Sequence, residues 1–189
     1  MLAVALDRQR CGRHGLHRAK RVAFDAGHLH QPGNRIARLA LYEPPYNEAK
    51  GAVGEWRAFR TRITPLLHGR NYDQAVVEFL KFVGAPDDAI AKMKASPAWA
   101  GMVAMAPTIA YDNVVLGRDR AVPVALAANV AVPTLVIDGG ASAKTMPYMR
   151  ATADKLGATI PNAKRRTIEG QAHDVSPAAI VPVLIEFFQ

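Results

Sequence analysis

A histidine and several carboxylates lie where acid–base chemistry would be expected. His173 follows a strand-like run in RTIEGQAHDVSP (166–177), and the turn that carries it leads into the start of a helix. An imidazole titrates near neutral pH, so it can accept a proton from a nucleophile and return it to a leaving group. The sequence therefore predicts a catalytic histidine at a strand end, which needs a carboxylate and a nucleophile nearby.

Two carboxylates end apolar runs of the kind that form buried strands. Glu43 stops the run IARLALYEPPY (36–46), and Asp138 lies at the end of VPTLVIDGG (132–140). A buried carboxylate at either position could orient the imidazole and stabilise its protonated form. Both stay open as the acid, and the alternative for Glu43 is a capping or anchoring role. Two further carboxylates are expected to be structural: Asp112 and Asp174.

The elements that would position these residues alternate between strand and helix. Buried strands are predicted at 36–43 and 132–140, and a third strand is predicted at 163–170. Residues 47–117 are mostly helical in pattern, and Pro86 with two acids marks a helix start there. The helices predicted with definite bounds are 86–96, about 98–112, 144–161 and 176–188. Strands that alternate with helices in this way predict an α/β fold with a parallel sheet.

The order of these runs resembles that of a known family. RLALYEPPY, a helical insertion, VPTLVIDGG, EGQAHD and a terminal LIEFF resemble the C-terminal half of an α/β-hydrolase, over roughly residues 36–189. The resemblance implies a three-layer α/β fold with a partial parallel sheet of the sixth to eighth strands and a helical cap at about 47–117. It also implies hydrolysis of an ester, amide or related bond in a small apolar substrate by a nucleophile–histidine–acid relay.

The resemblance also assigns roles to particular residues. It makes His173 the catalytic histidine. Most members place the acid after the seventh strand, where this chain has Ser142. Some, including haloalkane dehalogenases, take the acid from the end of the sixth strand, where Glu43 lies. Glu43 therefore stands as the first candidate and Asp138 as the second. Apolar residues of the insertion either form its core, which is favoured, or line a substrate pocket: Trp56, Trp99, Met102, Met105 and Tyr111.

The nucleophile is missing from the place where the resemblance requires it. The family carries it in a G-x-S-x-G elbow before the sixth strand, but residues 1–35 contain no serine. Cys11 has no strand before it, and Asp25 is followed by HLHQPGN, which would stop the helix that an elbow opens. We therefore expect impaired catalysis, and the alternative is a non-catalytic remnant or a small-molecule or protein-binding module. None of the serines has the flanking glycines of an elbow: Ser96, Ser142 and Ser176.

Residues 1–35 differ in composition from the rest of the chain. The net charge of +8 is concentrated near this end, because residues 1–38 hold eight Lys or Arg against Asp7 and Asp25. We interpret the segment as a basic, poorly ordered leader, or as the product of a truncated or frame-shifted reading frame. A basic arm could bind nucleic acid. With one aromatic residue and no nucleic-acid motif, it is not expected to do so.

The composition also limits location and partners. No apolar run approaches the ~20 residues that span a bilayer, and the single cysteine excludes an intrachain disulfide, so a reducing cytoplasm is expected. No metal-ligand cluster and no glycine-rich phosphate loop is found, so no cofactor is expected. If residues 1–35 supply no neighbouring strand, the strand at 36–43 has an open edge through which the chain could self-associate.

Overall fold

The structure is a computed structural model that describes residues 36–189 and the backbone of two further strands, β1 (Leu2–Asp7) and β2 (Lys20–Arg21). The interpretation of residues 1–35 as a basic leader, and the side chains of Cys11 and Asp25, lie outside the described residues. The chain divides into two compact units. The sheet unit comprises Met1–Ala49 and Ala121–Gln189, and the helical unit comprises Lys50–Arg120.

The sheet unit is built on a five-stranded sheet with the order β2-β1-β3-β4-β5. β3 (Ile36–Tyr42), β4 (Thr134–Gly139) and β5 (Ala163–Ile168) run parallel to one another. β4 is buried along its whole length, as its apolar sequence predicts. Each of these strands lies within a run that the sequence predicted as a strand, and the predicted α/β class with a partial parallel sheet is confirmed.

The edge of β3 is paired, which corrects one expectation. β1 runs antiparallel to β3, with a register that extends from Leu2 opposite Tyr42 to Asp7 opposite Ile36. The first apolar run of the chain therefore supplies the missing neighbour, and its N–H and C=O groups pair with those of β3. The expectation of an open edge at 36–43 is wrong, and self-association through that edge loses its basis.

The helical unit contains five α-helices and its own core. The rings of Phe59 and Phe82 stack at a centroid distance of 4.2 Å, and Trp56 lies against Phe59 at 5.5 Å. Trp56 and Trp99 are buried in this core, whereas Met105 and Tyr111 are exposed. The helix expected at about 98–112 is divided by a 3₁₀ turn at Ala106–Thr108, because Pro107 cannot donate a helical hydrogen bond. The helices are α1 (Ala52–His68), α2 (Tyr72–Phe82), α3 (Asp87–Lys94), α4 (Trp99–Met105) and α5 (Ile109–Val115).

Helices lie on both faces of the parallel strands. The short α6 (Val124–Ala127) precedes β4, and α7 (Tyr148–Thr159) packs on β4 and β5. α8 (Pro177–Phe188) buries Ile180 and Val183 against side chains of β3 and β4. Ser176 is the N-cap of α8, since its Oγ accepts a hydrogen bond from the N–H of Ala179 at 3.3 Å. The result is the predicted three-layer arrangement.

Candidate active site

The carboxyl ends of the parallel strands bring three short segments together. Glu43 directly follows β3, a 3₁₀ turn at Gly140–Lys144 follows β4, and the loop between β5 and α8 carries His173. The strand register places Tyr42 opposite Ile137 and Gly139 opposite Ile168, so the three strand ends lie at one edge of the sheet. In a parallel sheet this edge is where side chains from different strands can converge on a ligand.

Glu43 and His173 are in direct contact at this edge. Nδ1 of His173 lies 2.9 Å from Oε2 of Glu43, although 130 residues separate them in the sequence. The Glu43 side chain is fully buried, and its other oxygen, Oε1, accepts a hydrogen bond from the N–H of Gly139 at 2.9 Å. The carboxylate is therefore held by a backbone group on one side and faces the imidazole on the other.

The protonation state of Glu43 determines the direction of that hydrogen bond. Burial alone would raise its pKa, but the hydrogen bonds to His173 and to the N–H of Gly139 lower the pKa, and so does the proximity of the Ser142 hydroxyl. An ionised carboxylate can only accept hydrogen bonds, so Nδ1 of His173 must carry the proton. The side chain of His173 is 45% exposed, which leaves Nε2 available as a proton acceptor.

The backbone at Glu43 adopts an uncommon conformation. Its φ of 43° lies in the left-handed region, which residues other than glycine rarely adopt. This conformation costs of order 1–3 kcal/mol. Such strain persists only where surrounding contacts fix the residue. Here the two contacts of the carboxylate, with Gly139 and His173, provide that constraint.

Glycines allow the loops after β4 and β5 to meet. A Cβ on Gly139 would lie 2.7 Å from the hydroxyl of Tyr42 and still closer to the carbonyl of Gln171. A Cβ on Gly140 would overlap Glu169. The N–H of Ala141 also donates to the Gln171 carbonyl at 2.9 Å. Gly139 is thus required for the close approach that brings the His173 loop to Glu43, because a Cβ there would overlap backbone.

Comparison with solved structures places the chain in a family. The chain is similar to a crystal structure described as an α/β-hydrolase from Sphaerobacter thermophilus DSM 20745, with 42% sequence identity and a TM-score of 0.68. The similarity covers 83% of this chain. The chain belongs to the α/β-hydrolase fold family. It spans 60% of the length of that relative. No protein-family model matches the chain, and no curated protein matches it.

Asp138, the second candidate acid of this α/β-hydrolase-fold chain, is engaged elsewhere. Its side chain is almost fully buried, and its oxygens accept hydrogen bonds from Thr167 at 2.8 Å, Arg165 at 3.0 Å and Arg150 at 3.1 Å. Burial would raise its pKa, but these donors lower it. The structure brings Glu43, not Asp138, to His173. The catalytic roles of all three residues stay predictions.

None of the serines between residues 36 and 189 is hydrogen-bonded to His173. Ser96 donates to the carbonyl of Met93, and Ser176 caps α8. The hydroxyl of Ser142 is buried beside Glu43 but completes no hydrogen bond with any described residue, and the nearby Lys144 is exposed. The described part of the chain thus contains a candidate acid and a candidate base, without a serine in contact with His173.

Sequence reasoning missed one residue of the site, Tyr42. Its hydroxyl donates to the carbonyl of Ala172, directly before His173. Its position next to Glu43, as the one hydroxyl-bearing side chain in the run IARLALY, was the signal that could have identified it.

Other kinds of site are less well supported in the described residues. No group of three His, Cys, Asp or Glu side chains there could hold a metal ion. A cavity of about 300 Å³ lies at the amino ends of the strands, among Arg38, Thr134, Lys164 and Glu186, and so away from His173. Within residues 36–189, no helix combines the length and apolarity needed to cross a membrane. The expected cytoplasmic location stays a prediction.

Proposed function

We propose that Glu43 and His173 are the acid and the base of a nucleophile–histidine–acid relay that hydrolyses an ester, amide or related bond in a small apolar substrate. The observation that carries the proposal is the 2.9 Å contact between His173 Nδ1 and the buried Glu43 carboxylate. Glu43 orients the ring and stabilises the imidazolium that forms, while Nε2 takes up and returns the proton. Similarity to a protein described as an α/β-hydrolase supports the same reaction class.

The described residues support an impaired form of this reaction. Because no serine of residues 36–189 contacts His173, a water molecule takes the place of the serine nucleophile. The water oxygen attacks the carbonyl carbon of the substrate while Nε2 of His173 accepts a proton from the water. The intermediate then collapses, the bond to the leaving group breaks, and the proton returns from Nε2 to the leaving group. We expect this route to be slow, and to be measurable only with activated esters such as p-nitrophenyl acetate and p-nitrophenyl butyrate.

The alternative is a non-catalytic binding module. The absence of a serine in contact with His173, within residues 36–189, favours it. In that case the Glu43–His173 pair is a structural contact, and any hydrolysis of p-nitrophenyl esters would be independent of it.

Steady-state hydrolysis of the two p-nitrophenyl esters separates these functions. His173→Ala should lower kcat/KM by about 10²-fold, the lower end of what a positioned general base contributes. Glu43→Gln should lower it less, because the base remains. His68→Ala is the matched control, since this exposed imidazole at the end of α1 could react with activated esters unspecifically. Turnover that His173→Ala leaves unchanged would refute the relay and support the binding module.

A further inference from the structure

We infer that Tyr42 is a positioning residue, whose hydroxyl holds the carbonyl of Ala172 and thereby keeps His173 against Glu43. The inference deepens the proposed function and rests on it, since it concerns the same acid–base pair. Tyr42 is the last residue of β3 and is only 3% exposed. Its hydroxyl lies 2.5 Å from the carbonyl oxygen of Ala172, which is 130 residues away in the sequence.

The loop that carries His173 is held at two consecutive carbonyl groups. The carbonyl of Gln171 accepts a hydrogen bond from the N–H of Ala141 at 2.9 Å, and the carbonyl of Ala172 accepts from Tyr42. The first contact comes from the backbone after β4, and the second comes from a side chain of β3. Because Tyr42 directly precedes Glu43, the same strand end fixes both the acid and the residue before the base.

The space around the Tyr42 hydroxyl is shaped for this contact. Gly139 faces it, and a Cβ there would lie only 2.7 Å from the hydroxyl oxygen. The N–H of the same glycine donates to Glu43. One glycine therefore lies against Tyr42, Glu43 and the Gln171 carbonyl, so a displacement of the tyrosine hydroxyl should be transmitted to the acid–base pair.

Tyr42 also remains a hydrogen-bond donor under ordinary conditions. Burial raises its pKa, and the negative charges of Glu43, Asp138 and Asp174 raise it further. The phenol therefore stays protonated throughout the pH range in which His173 could act as a base. A donor that keeps its proton over this pH range is suited to holding a carbonyl group.

A simpler role for Tyr42 is to fill the core with its ring, since it packs with Ile137 and Ile180. Phenylalanine would do this equally well, so Tyr42→Phe separates the two roles. The chain offers a matched control in Tyr46→Phe. Tyr46 is 1% exposed, and its hydroxyl has no hydrogen-bond partner among the described residues.

The experiment is a long-range ¹H–¹⁵N spectrum of the imidazoles in the full chain, with the His173 signals assigned by their loss in His173→Ala. In the unsubstituted protein we expect the proton on Nδ1. Tyr42→Phe should make this proton exchange with water about fivefold faster, the factor that one hydrogen bond of ordinary net strength gives. Tyr46→Phe should leave it unchanged.

An Nδ1 proton that exchanges equally fast in Tyr42→Phe and in the unsubstituted protein would overturn the inference. If Tyr42→Phe does not fold, the hydroxyl proton of Tyr42 in the unsubstituted protein decides instead, since exchange as fast as that of an exposed phenol would also overturn it. The ester assay is a separate measurement. Turnover independent of His173 would end the proposed relay, while the imidazole spectra would still show whether Tyr42 positions the ring.

Discussion

Arg165 lies across α7 at Gly157, where its Cγ and Cδ atoms occupy the space that a Cβ at residue 157 would need. A Cβ built on Gly157 would lie 2.5 Å from both atoms. From this position the guanidinium reaches the buried Asp138, the carbonyl of Val136 and Asp154. Asp138 directly precedes Gly139, whose N–H holds Glu43. Arg165 thus joins β4, β5 and α7 beneath the candidate site.

Gly157→Ala should destabilise the protein, although alanine is normally the better helix residue. The new methyl group would displace Arg165 and weaken its bonds to the almost fully buried Asp138, which would keep only Arg150 and Thr167. Weakening a buried ionic network in this way costs about 1–3 kcal/mol. Urea-induced unfolding at pH 7 would measure the change in the free energy of unfolding.

The control for this substitution is Gly54→Ala. Gly54 also lies in a helix, α1, but a Cβ there would meet no atom within 4 Å. Helix propensity then acts alone and should stabilise the protein by up to about 1 kcal/mol. Equal stabilisation by both substitutions would show that Arg165 moves aside without cost.

Glu43→Gln should reduce stability at neutral pH and change its acid dependence. The single oxygen of the glutamine amide can accept only one of the two hydrogen bonds that the carboxylate accepts from Gly139 and His173, and losing a hydrogen bond to a charged group costs about 1.5–3 kcal/mol. The pKa of Glu43 is lowered in the folded state. The ionised carboxylate therefore contributes to the free energy of unfolding at pH values above the ordinary glutamate pKa, near 4.3. This contribution is lost as the pH falls through the lower pKa of the folded state.

Urea unfolding at a series of pH values from 7 downwards tests this prediction. The unsubstituted protein should lose stability more steeply below about pH 4.3 than Glu43→Gln does. Glu169→Gln is the control, since Glu169 is an exposed carboxylate in the loop between β5 and α8. If the acid dependence of Glu43→Gln matches that of the unsubstituted protein, the carboxylate does not contribute as described.

β3 and β4 could be predicted because each is a short apolar run with a clear end, whereas β5 (AKRRTI) contains three basic residues and is only partly buried. The same logic identified Glu43, Asp138 and His173, since each polar residue lies at or just after a strand. It could not decide which acid faces the histidine. That choice depends on Arg150 of α7 and Arg165 of β5, which both donate hydrogen bonds to Asp138, and a local sequence pattern does not show which acid their side chains reach.

Two other features lay beyond sequence reasoning for physical reasons. The pairing of β1 with β3 is antiparallel, and nothing within the run LAVALD specifies its partner or its direction. The contact of Tyr42 with Ala172 depends on a close approach of two loops, which glycines permit but do not specify. Local patterns predict elements, whereas contacts across the sheet edge depend on the packing of several elements at once.

Buried tyrosines should make the protein sensitive to alkaline pH. Burial raises the pKa of Tyr46 to about 12, so the folded state keeps its proton after the unfolded chain, with a phenol pKa near 10, has released it. The contribution of Tyr46 to stability is then fully present below about pH 10 and is lost as the pH rises towards 12. Tyr46→Phe should therefore lose less stability between pH 9 and 11.5 in urea unfolding, and absorbance at 295 nm should show one fewer late-ionising phenol.

Tyr111→Phe is the control, since Tyr111 is exposed, and this variant should lose as much stability at alkaline pH as the unsubstituted protein. Equal losses in Tyr46→Phe and Tyr111→Phe would contradict the assignment to Tyr46.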